Sequence, residues 1–132
     1  FELGKGVELK SGKDITIIAT GLCVSESLKA AEMLKEAGVD AQVINIHTIK
    51  PIDEDIIINA AKKTGRIFTV EEHSIIGGLG SAVMEVLSEK YPTKVTRIGV
   101  NDTYGCSGPA KELLHVFGLD AEGIAAKIKE NL

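Results

Sequence analysis

The chain has 132 residues, of which 44% are hydrophobic and only 4% aromatic, with no Trp. That length supports one domain able to bury roughly two thirds of its unfolded surface, and its core must be built from Ile, Val, Leu and Ala, the chemistry of a buried parallel sheet. Fifteen basic residues against nineteen acidic ones give a net charge of -4, and no Lys/Arg stripe interleaves with aromatics, which argues against a nucleic-acid partner. No apolar run approaches the roughly 20 residues of a membrane span and the start lacks a signal-peptide pattern, so a cytoplasmic protein without a membrane partner is expected.

Residues 6–10 read as a short edge strand. Ser11-Gly12-Lys13-Asp14 join it to an apolar run at 15–19, and so short a turn predicts an antiparallel hairpin. Leu28, Ala31, Met33, Leu34 and Ala37 then fall at mainly helical spacing; Thr20 or Ser25 is placed to cap the start, and Gly38 to stop the helix. A second parallel strand is expected at 41–46. After it, Thr48-Ile49-Lys50-Pro51-Ile52-Asp53-Glu54-Asp55 puts a proline near a first helical position and three acids in the first turn, where they favour the helix dipole. Ile56, Ile57, Ala60 and Ala61 supply its buried side, and Gly65 ends it before a third parallel strand at 66–70.

Residues 79–90 read as the next helix, ended by Tyr91-Pro92, and 94–98 as the last strand. A loop is expected over 101–109, followed by two closing helices at 110–117 and 120–128 broken at Gly118. Strands alternating with helices predict an α/β fold, a three-layer α/β/α sandwich formed as a single domain over 1–132.

The most informative stretch is Thr69-Val-Glu-Glu-His-Ser-Ile-Ile-Gly-Gly-Leu-Gly-Ser81. An apolar strand runs into Glu71, Glu72 and His73, and Gly77, Gly78 and Gly80 then allow a sharp turn into a closely packed helix. Ligands and partners of open α/β sheets gather where loops leave the carboxyl ends of strands. A dinucleotide fingerprint fails there, because its third glycine would fall at Val83 and the motif follows the third parallel strand rather than the first. No P-loop pattern occurs.

An anion is the natural guest of a helix start, yet Glu71 and Glu72 would oppose it if both face the loop, and a partner's arginine is then the better match. If the strand continues, the two glutamates point to opposite faces and make a poor acid/base pair. His73 reads either as a proton donor or as a hydrogen-bonded structural residue. Cys23 reads as a core filler and Cys106, in a loop, as the more reactive thiol, while His47, His73 and His115 are too scattered for a zinc site.

Three stretches carry a family likeness: Thr48-Ile-Lys-Pro-Ile-Asp53, Glu71-Glu-His-Ser-Ile-Ile-Gly-Gly-Leu-Gly-Ser-Ala82 and Arg97-Ile-Gly-Val-Asn-Asp-Thr-Tyr-Gly105. In order and over essentially the whole chain, they resemble the C-terminal domain of transketolase, most closely the separately encoded C-terminal half of split bacterial and archaeal transketolases. Similar domains close 1-deoxyxylulose-5-phosphate synthase and the β subunit of 2-oxoacid dehydrogenase E1. Those proteins share Lys50-Pro51-Ile52-Asp53, whereas His47-Thr48 and Val100-Asn101-Asp102-Thr103 favour transketolase.

The resemblance implies a five-stranded mixed sheet with one antiparallel edge strand. It also implies an assembly and dimerisation domain, inactive alone, of an enzyme that moves a two-carbon ketol unit between sugar phosphates in the pentose phosphate pathway. Thiamine diphosphate and Mg2+ would lie between N-terminal pyrophosphate- and pyrimidine-binding domains, the pyrimidine domain supplying the activating glutamate. No catalytic, cofactor or metal residue therefore carries over to this chain. Starting at Phe1 without an initiating methionine, the chain is expected to be a third domain cut from its catalytic neighbours, working as a homodimer.

Glu71, Glu72, His73, Gly77, Gly78, Gly80 and Ser81 are the candidates for interdomain or anion contact. A small-anion or nucleotide regulatory module remains the alternative from a different class. The loop at Asp102-Thr-Tyr-Gly-Cys-Ser-Gly108 departs from the family pattern, since Cys106 stands where an acid is usual.

Overall fold

A computed structural model of the chain describes residues 5–47, 49, 51–74, 78–100 and 118–132. In chain order these form β1 (Val7–Lys10), β2 (Ile15–Ala19), α1 (Cys23–Glu36), β3 (Ala41–Asn45), α2 (Glu54–Thr64), β4 (Arg66–Ser74), α3 (Leu79–Lys90), β5 (Lys94–Val100) and α4 (Ala121–Glu130). The expected loop 101–109 with Cys106, the expected helix 110–117 with His115, and Gly77 lie outside the described residues.

The strands make one five-stranded sheet in the order β1-β3-β2-β4-β5. β2 pairs in parallel with β3 and β4, and β4 in parallel with β5. β1 is an antiparallel edge strand, but its partner is β3, so the expected hairpin with β2 does not form. Four linking residues are enough to step over a strand: five Cα steps reach about 17 Å at ~3.4 Å each, whereas two strand spacings need only about 10 Å. The crossing is close. A side chain at Gly12 would collide with the backbone of Ala41 and Gln42 at the start of β3. Gly6 N–H donates to Asp53 Oδ2 at 2.9 Å and Gln42 Nε2 donates to Glu8 Oε2, which tie β1 to the body of the domain.

Helices cover both faces, as a sheet with buried parallel strands requires. On one face Ile15, Ile17, Val43, Phe68 and Val70 pack against Ala30, Ala31 and Leu34 of α1 and Ile124, Ala125 and Ile128 of α4. On the other, Ile18, Ile44 and Ile67 pack against Ile57, Ala60 and Ala61 of α2 and Leu79, Val83 and Leu87 of α3. Each fully buried Ile or Leu is worth roughly 1.5–3 kcal/mol relative to exposure, and these two layers hold the domain together. The described part is thus an α/β/α sandwich around a mixed sheet.

Helix starts differ from the sequence reading in two places. Neither Thr20 nor Ser25 caps α1; Leu22 holds the cap position and offers no side-chain acceptor. α2 begins one residue past Asp53, which caps it by accepting the Ile56 N–H at 3.3 Å, so only Glu54 and Asp55 lie in the first turn and Pro51 stands in the preceding turn. Asp120 caps α4 in the same manner, accepting the Gly123 N–H at 3.0 Å. Among the described residues no helix is long and apolar enough to cross a membrane.

Candidate interdomain site at the carboxyl end of the sheet

β4 continues to Ser74, four residues past the expected end at 70, because its outer half still pairs with β5 through Ser74 and Val100. Glu71, Glu72 and His73 are therefore strand residues rather than loop residues, and strand alternation sends the two glutamates to opposite faces.

Glu71 joins the α2/α3 face and is 1% exposed. Its two carboxylate oxygens accept the Leu79 N–H and the Gly80 N–H, both at 2.8 Å. Gly78, the cap residue of α3, contributes no side-chain bond, so an acid from the neighbouring strand supplies what the local sequence lacks. Charge-assisted bonds from a carboxylate to amides at a helix start are strong, and the helix dipole adds to them.

Glu72 joins the α1 face. Its Oε1 accepts the Leu22 N–H at 3.4 Å, a longer and more exposed bond. Gly21 makes that approach possible: its φ is +61°, and a side chain there would overlap Glu72 Oε1.

These contacts coincide with the point where the winding reverses. From β2 the chain crosses over α1 to β3 on one side, then over α2 to β4 on the other, which makes the crevice between the carboxyl ends of β2 and β4 the topological switch point. In such folds that crevice receives a ligand, with anions seated on helix N-termini. Here the first amides of α3 already bond the chain's own Glu71, those of α1 at Cys23 and Val24 bond the Thr20 and Gly21 carbonyls with Glu72 on the Leu22 N–H just before the helix, and an incoming anion at α3 would have to displace Glu71. A pyrophosphate with its metal does not fit beside two carboxylates on these amides. Among the described residues no group of three or more His, Cys, Asp or Glu is arranged to hold a metal ion.

Cys23 opens α1 in the same region and is fully buried. Burial above all, then the charges of Glu72, Glu71 and Glu26, push its thiol up to about 12. The thiol stays neutral and fills core, as the sequence reading expects, and is no nucleophile.

Gly78 has φ -96° and ψ -151°, extended torsions open to other residues. Gly80 is demanding for a different reason, since a Cβ there would lie 2.6 Å from Arg97 Cγ and 2.8 Å from Thr69 Oγ1. The glycine lets α3 settle onto β4 and β5. Thr69 Oγ1 beneath it is buried without a hydrogen-bond partner. Ser81 is half-buried in the first turn of α3. The structure thus brings Glu71, Gly78, Gly80 and Ser81 together at one helix start and sends Glu72 to another, while the side chain of His73 lies outside the described residues.

The Gly21-Leu22 turn was not singled out from the sequence. Its signal is a glycine directly following a buried strand, and its consequence is Leu22, left 50% exposed at the rim of the crevice.

Fold and crevice together define a doubly wound α/β domain whose ligand position is taken by its own side chains. The chain belongs to the transketolase C-terminal domain family, whose pattern, described as "Transketolase, C-terminal domain", matches residues 4–124. A protein of Methanocaldococcus jannaschii provisionally named a transketolase C-terminal section is 53% identical over 133 residues, spanning 100% of this chain and 41% of that protein. Subunit SqwH of the 6-deoxy-6-sulfo-D-fructose transketolase of Clostridium sp. is 46% identical over 130 residues, spanning 98% of this chain and 40% of the subunit. A solved structure described as a split gene transketolase, inactive beta4 tetramer, superposes with a TM-score of 0.92 at 48% identity and covers 98% of this chain and 43% of its own. The chain therefore spans about two fifths of the length of these relatives.

Proposed function

We propose that this chain is the C-terminal assembly domain of a thiamine diphosphate-dependent transketolase, an enzyme that moves a two-carbon ketol unit between sugar phosphates. In this reading the domain does not catalyse. Its carboxyl-end surface, built on Glu71, Glu72, His73 and the passage through Gly77 and Gly78 to Ser81, meets the pyrimidine-binding domain, in the same chain or a second subunit. Thiamine diphosphate and Mg2+ belong to the pyrophosphate- and pyrimidine-binding domains, and the cofactor supplies the carbanion chemistry there. The complete enzyme is a cytoplasmic homodimer of the pentose phosphate pathway.

The observation that carries this reading is the Glu71 carboxylate on the first two amides of α3, in a chain of the transketolase C-terminal domain family. A domain that fills its own anion seat is suited to packing and not to holding a phosphate. The buried carboxylate also fixes where α3 begins. A 1-deoxy-D-xylulose-5-phosphate synthase of Geobacter sulfurreducens is 44% identical over 126 residues, below the transketolase relatives, and membership of such an enzyme would change the substrates and leave the local role as proposed.

The test is an assay with thiamine diphosphate, Mg2+, a ketose phosphate donor and an aldose phosphate acceptor. The complete protein containing this chain is expected to transfer the ketol unit and the chain alone to give none. Transfer by the chain alone, or a complete protein that never transfers, contradicts the proposal.

A further inference from the structure

The two edge strands of the sheet are anchored differently. β5 sends Ile98 into the apolar layer under α1 and α4 and packs Val95 against the layer under α2 and α3. Among the described residues β1 sends no side chain into either layer. Its two apolar residues, Val7 and Leu9, are each 43% exposed, and its pairing with β3 is interrupted by a register shift between Glu8 and Lys10. Apolar burial, which holds the other four strands, is missing from this one.

Polar ties take its place. Just before β1 the Gly6 N–H donates to Asp53 Oδ2 at 2.9 Å, Glu8 Oε2 accepts from Gln42 Nε2, and Lys10 Nζ donates to the Ala41 carbonyl at 3.0 Å and pairs with Asp40 at 3.5 Å. The Glu8 tie is the outer end of a chain that runs inward: Thr16 Oγ1 donates to Gln42 Oε1 at 3.0 Å and lies 2.9 Å from Thr64 Oγ1. Thr16 and Gln42 are buried, whereas Glu8 is exposed. If β1 lifts away, water replaces the Glu8 carboxylate on Gln42, and the buried links from Gln42 to Thr64 stay made. The weakest link is therefore the one that solvent can repair.

The linker sets a boundary to such an opening. Gly12 lies against the backbone of Ala41 and Gln42, where a side chain would collide. Lys13 N–H donates to Asp40 Oδ2 at 3.1 Å, and Asp14 and Asp40 bond reciprocally, the Asp40 N–H to Asp14 Oδ2 at 2.8 Å and the Asp14 N–H to the Asp40 carbonyl at 2.9 Å. The chain is thus pinned again soon after β1, and β2 beyond it is buried along its whole length.

We propose that β1 is a separately opening strap: residues 6–11 release from β3 as a unit while the linker beyond them and the other four strands keep their native pairing. Segments with few buried apolar contacts open locally at a free energy below that of global unfolding. Opening bares the outer backbone edge of β3, the kind of unpaired edge onto which another strand adds. The ties from Asp53, Gln42, Asp40 and Ala41 set how often this happens.

The test is hydrogen–deuterium exchange of the full chain, read by mass spectrometry on fragments covering β1, β2 and β4 and corrected for intrinsic rates. β1 is expected to be protected, yet to exchange at least tenfold faster than β2 and β4, and to hold its rate in mild urea while theirs rise. Glu8→Ala with Lys10→Ala removes two of the ties and should speed β1 about tenfold further without moving β2 or β4. A β1 rate less than tenfold above that of β2, or rising with urea on the same slope, overturns the proposal, because the strand then opens only with the whole domain. A β1 with no protection overturns it too, since nothing is then latched. So does a double variant that leaves β1 unchanged or speeds all three strands alike. If the double variant does not fold, the three strands of the parent chain decide the question.

Discussion

Two helix starts lie side by side at the carboxyl end of this sheet and are met by adjacent residues of one strand, yet they are held differently. At α3, Glu71 is buried and makes two bonds of 2.8 Å. At α1, Glu72 makes one bond of 3.4 Å in an exposed setting. The same residue type, one position apart, is a structural clamp in one case and a surface contact in the other. Burial decides between them: a carboxylate removed from water must be satisfied by its partners, and those partners are left orphaned if it is removed. A solvated carboxylate loses little, because water replaces it.

The sharpest way to break this asymmetry is to remove the clamp. Glu71→Ala leaves two amides without acceptor and a cavity beside the core, and is expected to destabilise the domain by about 3–4 kcal/mol, measured by urea unfolding. A loss under about 1 kcal/mol would show that water or a neighbouring group caps α3 equally well. Gly80→Val attacks the same helix start sterically. Its Cβ would sit 2.6 Å from the stem of Arg97, and a loss of about 2–3 kcal/mol is expected.

Glu72→Ala should cost no more than about 1 kcal/mol. If it matches Glu71→Ala, the contrast between the two starts fails.

Cys23 reports on both carboxylates together. Its thiol is raised from 9.0 to about 12, chiefly by burial and then by Glu72 and Glu71. Between those values the unfolded chain releases a proton that the folded chain keeps. The resulting stability is fully present below pH 9 and is lost as the pH climbs towards 12, at up to ~1.4 kcal/mol per pH unit. Cys23→Ala should flatten that alkaline limb. An unchanged slope between pH 9 and 10.5, measured by denaturant midpoint, would mean the thiol already ionises in the folded state.

Much of this architecture was legible in the residues. Apolar runs at 15–19 and 41–46 and the helical spacing from Leu28 to Leu34 record burial directly, and burial is what a parallel sheet with two covered faces imposes at every position. The edge strand was legible and its partner was not, because pairing is a tertiary choice: the four residues from Ser11 to Asp14 permit both a hairpin and a step across β3, and only the packing of the whole sheet selects the second. The caps were mistaken for a similar reason. Local rules look for an acceptor within a few residues of the helix start, whereas α3 takes its acceptor from eight residues upstream and the Leu22 N–H just before α1 meets Glu72, fifty residues away. At the site, the charge and the glycines of 71–81 were read as a strand end followed by a helix start, and that is where the described ones lie. That the crevice is filled from within depended on β4 running four residues further than its apolar core.

Calorimetric titration of thiamine diphosphate with Mg2+, and of inorganic phosphate, onto the folded chain bears most directly on a domain that fills its own ligand position. With Glu71 on the first amides of α3, neither titrant should give saturable heat. Saturable binding that disappears in Gly80→Val while the fold persists would place an anion at the start of α3 and contradict an assembly role built on that closed crevice.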